Sequence, residues 1–356
     1  MATTDDAPPP RDDSPEVDAA TASRSLKRGL ISLVLLVVLA TALLLAVPGL
    51  HGVADDVSDM RPRWIAVAVV LEILSCLGYV LAFLQVFDRA PLRFGARVAL
   101  SELAFGSAVS LGGAGSIAVG AWLLVERGGE PTRVAQRSAV LFLLTSAINV
   151  ITLFLAGLGL WIGVLPGPRS PLLSVIPAAV GAGAFVLFLL LPRLTERLAQ
   201  DRAHGRVRTV LMEMATSIRL TKQILFSADW RIMGAIAFLW CDIGVLAACF
   251  AAAGHAPPLA VIVLAYQIGY LSNVIPIPGG IGVLDGSLVG MFVLYGIPAA
   301  ISTAATVVYH AIALWIPAMW GTATFIILRR TRHEPLSLRA PRDVRRRIRR
   351  ARHFQD

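Results

Sequence analysis

Long uninterrupted apolar stretches decide what this chain can fold into. The run GLISLVLLVVLATALLLAVPGL, Gly29–Leu50, contains no charged residue. A helix crossing the hydrocarbon core of a bilayer needs about 20 such residues. Comparable runs lie at 63–87, 134–165, 171–192, 232–253 and 299–329, which gives six proposed spans. Two more apolar regions, 98–126 and 258–296, are each broken near the middle by glycines. Composition agrees: 56% of the 356 residues are hydrophobic and only 15% are charged, whereas soluble domains carry about a quarter charged residues. The runs are continuous rather than alternating, which excludes a transmembrane β-barrel. The expected fold is an all-α polytopic integral membrane protein with six full spans and two broken, re-entrant hairpins, about eight transmembrane elements.

Charge is concentrated at the two ends. The first 23 residues hold six acids and one Arg, with Pro8, Pro9 and Pro10; such a segment cannot bury enough apolar surface to order itself. Residues 1–26 are therefore read as a disordered leader, and 27–330 as the transmembrane domain. From Arg329 to Asp356 there are eleven Arg against three acids. Arginines just after a membrane helix fix topology and attract anionic headgroups, so the tail 331–356 is assigned to the membrane surface rather than to nucleic acid. Gly29–Leu50 is too long for a signal-peptide core and follows an acidic leader, so it is taken as the first span. Cys76, Cys241 and Cys249 form no CxxC pair and suit buried thiols, not a metal site or disulfide framework.

Orientation follows the positions of Lys and Arg. Lys27 and Arg28 precede the first span and place the amino terminus in the cytoplasm. The loop HGVADDVSDMRP, with three Asp and one Arg, faces out. DRAPLRFGAR and ERGGEPTRVAQR carry three Arg each and face in. Both flanks of 98–126 are thus cytoplasmic, and the region enters and leaves on one side. The loop 193–231, with eight basic and four acidic residues, is also cytoplasmic. Its Val207, Leu211, Met214, Ile218 and Leu225 keep helical spacing, as in a helix lying on the membrane surface or packed on the protein. GHAPP, without Lys or Arg, faces out. A basic tail returning inside then requires 258–296 to dip in from the outside. The chain is expected in the cell membrane with both termini cytoplasmic.

The two broken regions resemble each other. Without a gap, Gly112, Gly113 and Gly115 of LGGAGSIAVGAWLLVERGGEP fall on Gly279, Gly280 and Gly282 of PGGIGVLDGSLVGMFVLYGIP, and Gly129 and Pro131 on Gly296 and Pro298, an offset of 167 positions. Three spans lie between the copies, so the second is inverted. Inverted repeats with helices interrupted by Gly and Pro mark transporter binding sites. A backbone break at membrane depth must be buried in protein or line a wet cavity. Its half-helix ends offer N–H groups that suit an anionic group; the structural alternative is close helix packing.

The stretch IPIPGGIGVLDGSLVGMFVLYGIPAAISTAATVVYHAIALWIPAMWG, Ile275–Gly321, resembles the signature region of the lysylphosphatidylglycerol synthase transmembrane family, the flippase-like domain of MprF-type proteins. Pro276, Pro278, Gly279, Gly280 and Gly282 match the family's glycine turn. Asp285 stands where Glu is usual. Gly296, Pro298, Tyr309, Trp315, Pro317 and Gly321 match as well, and His310 stands where Arg is common. Asp242, in WCDIGVLAACFAAAG, sits on the family's acidic position. The first copy departs more, with no proline before Gly112 and apolar Ile117, Ala118 and Val119 after the glycines. The resemblance implies movement of a phospholipid or lipid-linked substrate between leaflets. MprF-type proteins also carry an aminoacyl-transferase domain; 27 residues follow the last span, too few for one.

Ionisable groups inside a membrane are expensive and are candidate functional sites. Asp242, Asp285 and His310 are the principal candidates, joined by the glycine turn and Tyr309 as substrate-binding residues. An ion pair of His310 with either Asp is the simplest structural alternative. Glu72 and Glu102 rank lower, as groups protonated and hydrogen-bonded to a neighbour; so do Tyr266, Gln267, Asn273 and Asn149, as path-lining or helix-bridging groups. No catalytic motif is present: GxSxG, HExxH and a Walker loop are all missing from the sequence. No enzyme activity, cofactor or metal is expected. Two functions remain in play: a flippase-like transporter of a phospholipid or lipid-linked glycan, and a non-transporting membrane partner of a separate glycosyl- or aminoacyl-transferase.

Overall fold

A computed structural model describes residues 57, 59–108, 114–201, 205–227, 229–271 and 281–330. The first proposed span, the acidic leader, the basic tail and the turn residues Pro276, Pro278, Gly279 and Gly280 lie outside the described residues. So do Gly112 and Gly113.

Every regular element described is helical. In chain order these are α1 (Pro62–Val86), α2 (Leu92–Ala108), α3 (Ala114–Glu126), α4 (Pro131–Trp161), α5 (Pro171–Asp201) and α6 (Arg206–Leu225), followed by α7 (Met233–Ala252), α8 (Leu259–Leu271), α9 (Ile281–Leu294) and α10 (Ala299–Arg330). A 3-10 turn, Trp230–Ile232, leads into α7; the Asp229 side chain accepts the Arg231 N–H and caps it. Among the described residues five helices are long and apolar enough to cross a membrane: α1, α4, α5, α7 with its 3-10 lead, and α10. Their bounds reproduce the apolar runs of the sequence to within a few residues, except that α5 continues past 192 to Asp201. The protein is an all-helical polytopic integral membrane protein.

The broken regions give two pairs of short helices. α3 and α8 have 13 residues each and α9 has 14. At about 1.5 Å per residue they reach about 20 Å, well short of the roughly 30 Å hydrocarbon core. Within each pair the arms pack together, α2 on α3 and α8 on α9.

The repeat extends far beyond the glycines. The same shift of 167 positions carries the starts of α2 and α3, Leu92 and Ala114, onto Leu259 and Ile281, where α8 and α9 begin. It also carries α1 onto the 3-10 turn plus α7, and α4 onto α10 to within two residues at either end. Packing follows the same exchange: α2 lies on α10 as α8 lies on α4, and α1 and α7, the two counterparts, pack most extensively on each other. Those two run antiparallel. The Arg61 N–H, at the start of α1, donates to the Ala252 carbonyl at the end of α7. Further along, Gly78 meets Gly234.

One detail of the sequence alignment needs correction. The left-handed glycine closing α3 is Gly128 (φ +87°), not Gly129, and its partner after α9 is Gly296 (φ +86°). Gly129 N–H returns to Leu124 O just as Ile297 N–H returns to Phe292 O. α9 is one residue longer than α3, so the register slips by one there before the proline restores it.

Glycine sets the closest helix contacts. A Cβ at Gly78 would lie 2.6 Å from Phe238 N, and one at Gly234 would lie 2.7 Å from Ala82 N. At Gly321 it would lie 2.1 Å from Leu100 O, where α10 crosses α2. Without a side chain, backbones approach closely and dispersion contacts replace a hydrophobic drive that lipid cannot supply. Outward faces keep large apolar side chains exposed, among them Val70, Leu74 and Leu77 of α1 and Leu172, Ile176 and Leu187 of α5, as lipid contact requires. α6 divides its stripe. Ile218 is fully buried and Leu225 half-buried against the protein, while Val207 and Met214 are exposed.

Candidate functional site in the membrane core

The polar residues of α1 recur at helical spacing. Glu72, Ser75, Cys76 and Tyr79 stand at i, i+3, i+4 and i+7, which puts them on one face. That face meets α7, where the Ser75 hydroxyl donates to the Phe238 carbonyl at 2.8 Å. It also opens on a cavity of about 390 Å³. All four residues line it, with Glu102 of α2, Thr145 and Asn149 of α4, Asp242 of α7, Tyr266 of α8 and Pro317 of α10. Gly106 and Ile117, which flank the first break, reach its edge.

Asp242 is the best-supported acid. It is half-buried and faces the cavity. Tyr266 donates a hydrogen bond to its Oδ2, and Tyr309 lies 3.1 Å from both carboxylate oxygens. The two phenol rings meet edge to face with centroids 6.4 Å apart. Tyr309 is fully buried and Tyr266 nearly so. Two phenolic donors converging on one carboxylate satisfy its charged form without a formal cation. His310 stands next on α10, its ring 5.5 Å from that of Tyr309, within electrostatic reach of Asp242.

Glu72 and Glu102 sit in different surroundings. Glu102 is buried and bonded to the Tyr79 hydroxyl. Its carboxyl fills the space over Gly120, where a Cβ would lie 2.3 Å from Oε2. The 167-residue shift maps this pair onto Gly269 and Ser287, and there the Ser287 hydroxyl donates to the Gly269 carbonyl at 2.9 Å. Each hairpin therefore brings its arms together at the same place, with the small and the polar residue exchanged. Glu72 is 5% exposed. Its Oε1 receives the Cys76 thiol at 3.8 Å, and its Oε2 has no hydrogen-bond partner.

The cavity belongs to both repeats. The shift places Ser75 on Asp242 and Glu72 on Leu239, and all four line it. The first repeat thus gives two acids, Glu72 and Glu102, and the second gives Asp242; Glu72 and Asp242 come from adjacent turns of the paired helices α1 and α7. No Lys, Arg or His lines the cavity among the described residues, and no cluster among them has the ligand set of a metal site.

Of the substrate-binding residues expected from sequence, the structure gathers Asp242, Tyr309 and His310. Gly282 and Asp285 fall in the first turns of α9, whose described side chains begin at Gly286. Tyr266, ranked low in sequence, is a direct partner of Asp242. Ser75, Cys76 and Tyr79 were missed; their i, i+3, i+4, i+7 spacing with Glu72 in an otherwise apolar span was the available signal.

Comparison with known proteins agrees with this architecture. A 24% identical UPF0104 membrane protein of Methanothermobacter thermautotrophicus aligns over 307 residues, covering 77% of this chain and 86% of the relative. A second UPF0104 membrane protein match in that organism is 30% identical over 127 residues, 35% of this chain and 37% of the relative. The model of the lysylphosphatidylglycerol synthase TM region matches residues 30–321, from within the first proposed span to Gly321. With the match running through both repeats, the chain belongs to the lysylphosphatidylglycerol synthase transmembrane-region family.

Proposed function

We propose that this protein moves a phospholipid or lipid-linked glycan between the leaflets of the cell membrane, with both termini on the cytoplasmic side, and that it is not an enzyme. The observation that carries the reading is the cavity at the seam of two inverted repeats, lined by the acids Glu72 and Glu102 of one repeat and Asp242 of the other. Transporters built from inverted repeats hold substrate and coupling ions at that seam, beside interrupted helices. Hydroxyl groups of a headgroup or sugar would donate to the cavity's carboxyl oxygens and to the free lone pairs of Tyr79 and Tyr266, whose own protons are engaged by Glu102 and Asp242. A phosphate is repelled by those carboxylates, so it would sit toward the hairpin breaks, where half-helix N-termini favour anions.

The test is leaflet exchange in liposomes holding the purified full chain, with headgroup-labelled phospholipids and lipid-linked sugars. Exchange above protein-free liposomes is expected for at least one class, with a loss of tenfold or more in Asp242→Asn, Asp285→Asn and His310→Ala. No exchange of any class removes the transport reading and leaves that of a membrane partner for a separate transferase. Normal exchange in all three variants removes the site.

A further inference from the structure

We infer that Glu72 is a proton-binding site of the cavity, and that binding and release of this proton are coupled to headgroup movement; the coupling rests on the transport reading above. The inference starts from the unequal treatment of two neighbouring acids. Asp242 receives two phenolic hydrogen bonds, and donors to a carboxylate favour its charged form. Glu72 lies within electrostatic reach of Asp242 and receives nothing at Oε2. Its other oxygen has only a thiol, a weak donor. A second negative charge there would be unpaired and would face a like charge in a medium that cannot screen it. A proton on Oε2 removes both penalties. Two carboxyl groups whose surroundings differ in this way divide the roles of ionised and protonated partner.

Every neighbouring element is consistent with this division. On α1 itself the titratable neighbours are Cys76 and Tyr79. α7 presents Asp242 and Cys241, and α2 presents Glu102, which is engaged by Tyr79. α10 brings Tyr309 and His310 beside Asp242, and α8 brings Tyr266. α4 contributes the uncharged Thr145 and Asn149. No cation among the cavity-lining described residues stands in for the proton at Glu72. Glu72 is also placed for exchange. It lines the cavity at the repeat seam, where a repacking of one repeat against the other would change which side the carboxyl faces. The step is a plain acid dissociation: Glu72 releases one proton and becomes a carboxylate, with Asp242 unchanged.

The test reads the protonated carboxyl directly. Infrared difference spectra of the full chain in lipid nanodiscs, taken between acid and alkaline buffer, should show a protonated-carboxyl stretch. Its deuterium shift identifies the exchangeable proton. In a Glu102→Gln background, which removes the other buried glutamate of the cavity, the band should persist in Asp242→Asn and vanish in Glu72→Gln, a near-isosteric change whose thermal midpoint reports folding. A wild type without such a band overturns the proton site, without appeal to any variant. A band that survives Glu72→Gln in that background assigns the proton elsewhere and overturns it as well. Loss of the band on adding sodium at constant pH identifies a sodium site and overturns the proton assignment. In liposomes, a pH gradient should bias lipid exchange at least threefold in wild type and not in Glu72→Gln. Exchange that ignores the gradient overturns the coupling, whereas absence of all exchange defeats the transport reading and leaves the infrared result to decide the site.

Discussion

Asp242 shows how a membrane protein holds an acid in its core with phenolic donors. Tyr266 and Tyr309 come from helices on either side, and each spends its hydroxyl on the same acid. Hydrogen bonds to a charged group contribute about 1.5–3 kcal/mol in water-soluble proteins, while bonds between membrane helices average nearer 0.6 kcal/mol. Tyr309→Phe keeps the ring and removes the donor. It should lower the thermal midpoint of the purified protein by an amount equivalent to about 1 kcal/mol. Tyr309→Phe combined with Asp242→Asn should lose less than the two changes separately, because the acid that loses one of its two donors in the first is gone in the second. Additive losses in this cycle would show that the pair is not coupled. The sequence marked Asp242 as costly. It did not reveal the two phenols, which are 24 and 67 residues away and fall on no shared period.

At the scale of elements, glycine decides which helices touch. Gly78 and Gly234 let α1 and α7 approach backbone to backbone, so that the face carrying Glu72 and Ser75 meets the face carrying Asp242. Gly78→Leu forces a side chain into space already occupied by Phe238 and should cost about 1–3 kcal/mol through overpacking. Gly290, on α9, is exposed and has nothing within 4 Å of its would-be Cβ. Gly290→Ala should therefore leave the thermal midpoint unchanged or slightly higher. Equal destabilisation by both changes would contradict this account of glycine packing. Five of the six proposed spans were readable to within a few residues at most ends, because apolar length alone makes a helix obligatory in lipid. The course of α6 was half-readable: its stripe is periodic throughout, but only contact with the protein decides that Ile218 is buried and Val207 is not.

At the scale of the whole molecule, two four-helix units are related by inversion, and the seam between them holds the cavity. The predicted topology puts the loop after α7 outside and the loop between α1 and α2 inside. In a background lacking Cys76, Cys241 and Cys249, a cysteine at Ala256 should react with an impermeant maleimide on intact cells. One at Ala90 should react only after the membrane is opened. The reverse pattern would invert the orientation, and labelling of both from outside would break the parity that makes the second repeat an inverted copy.

By itself the sequence determined that the chain spans a membrane, where five of its spanning helices lie to within a few residues at most ends, and that two glycine-broken regions resemble each other. Those properties follow from local composition, since a backbone in hydrocarbon must satisfy its own hydrogen bonds. It was only the tertiary structure that decided that the repeat covers four helices at one offset, and that Glu72, Glu102 and Asp242 share one cavity. Which side chains meet depends on how α1 and α7 cross. That crossing is set by side-chain volume at Gly78 and Gly234, more than 150 residues apart in the chain. The unequal surroundings of Asp242 and Glu72 arise only there, where phenols reach one carboxyl and the other receives only a thiol.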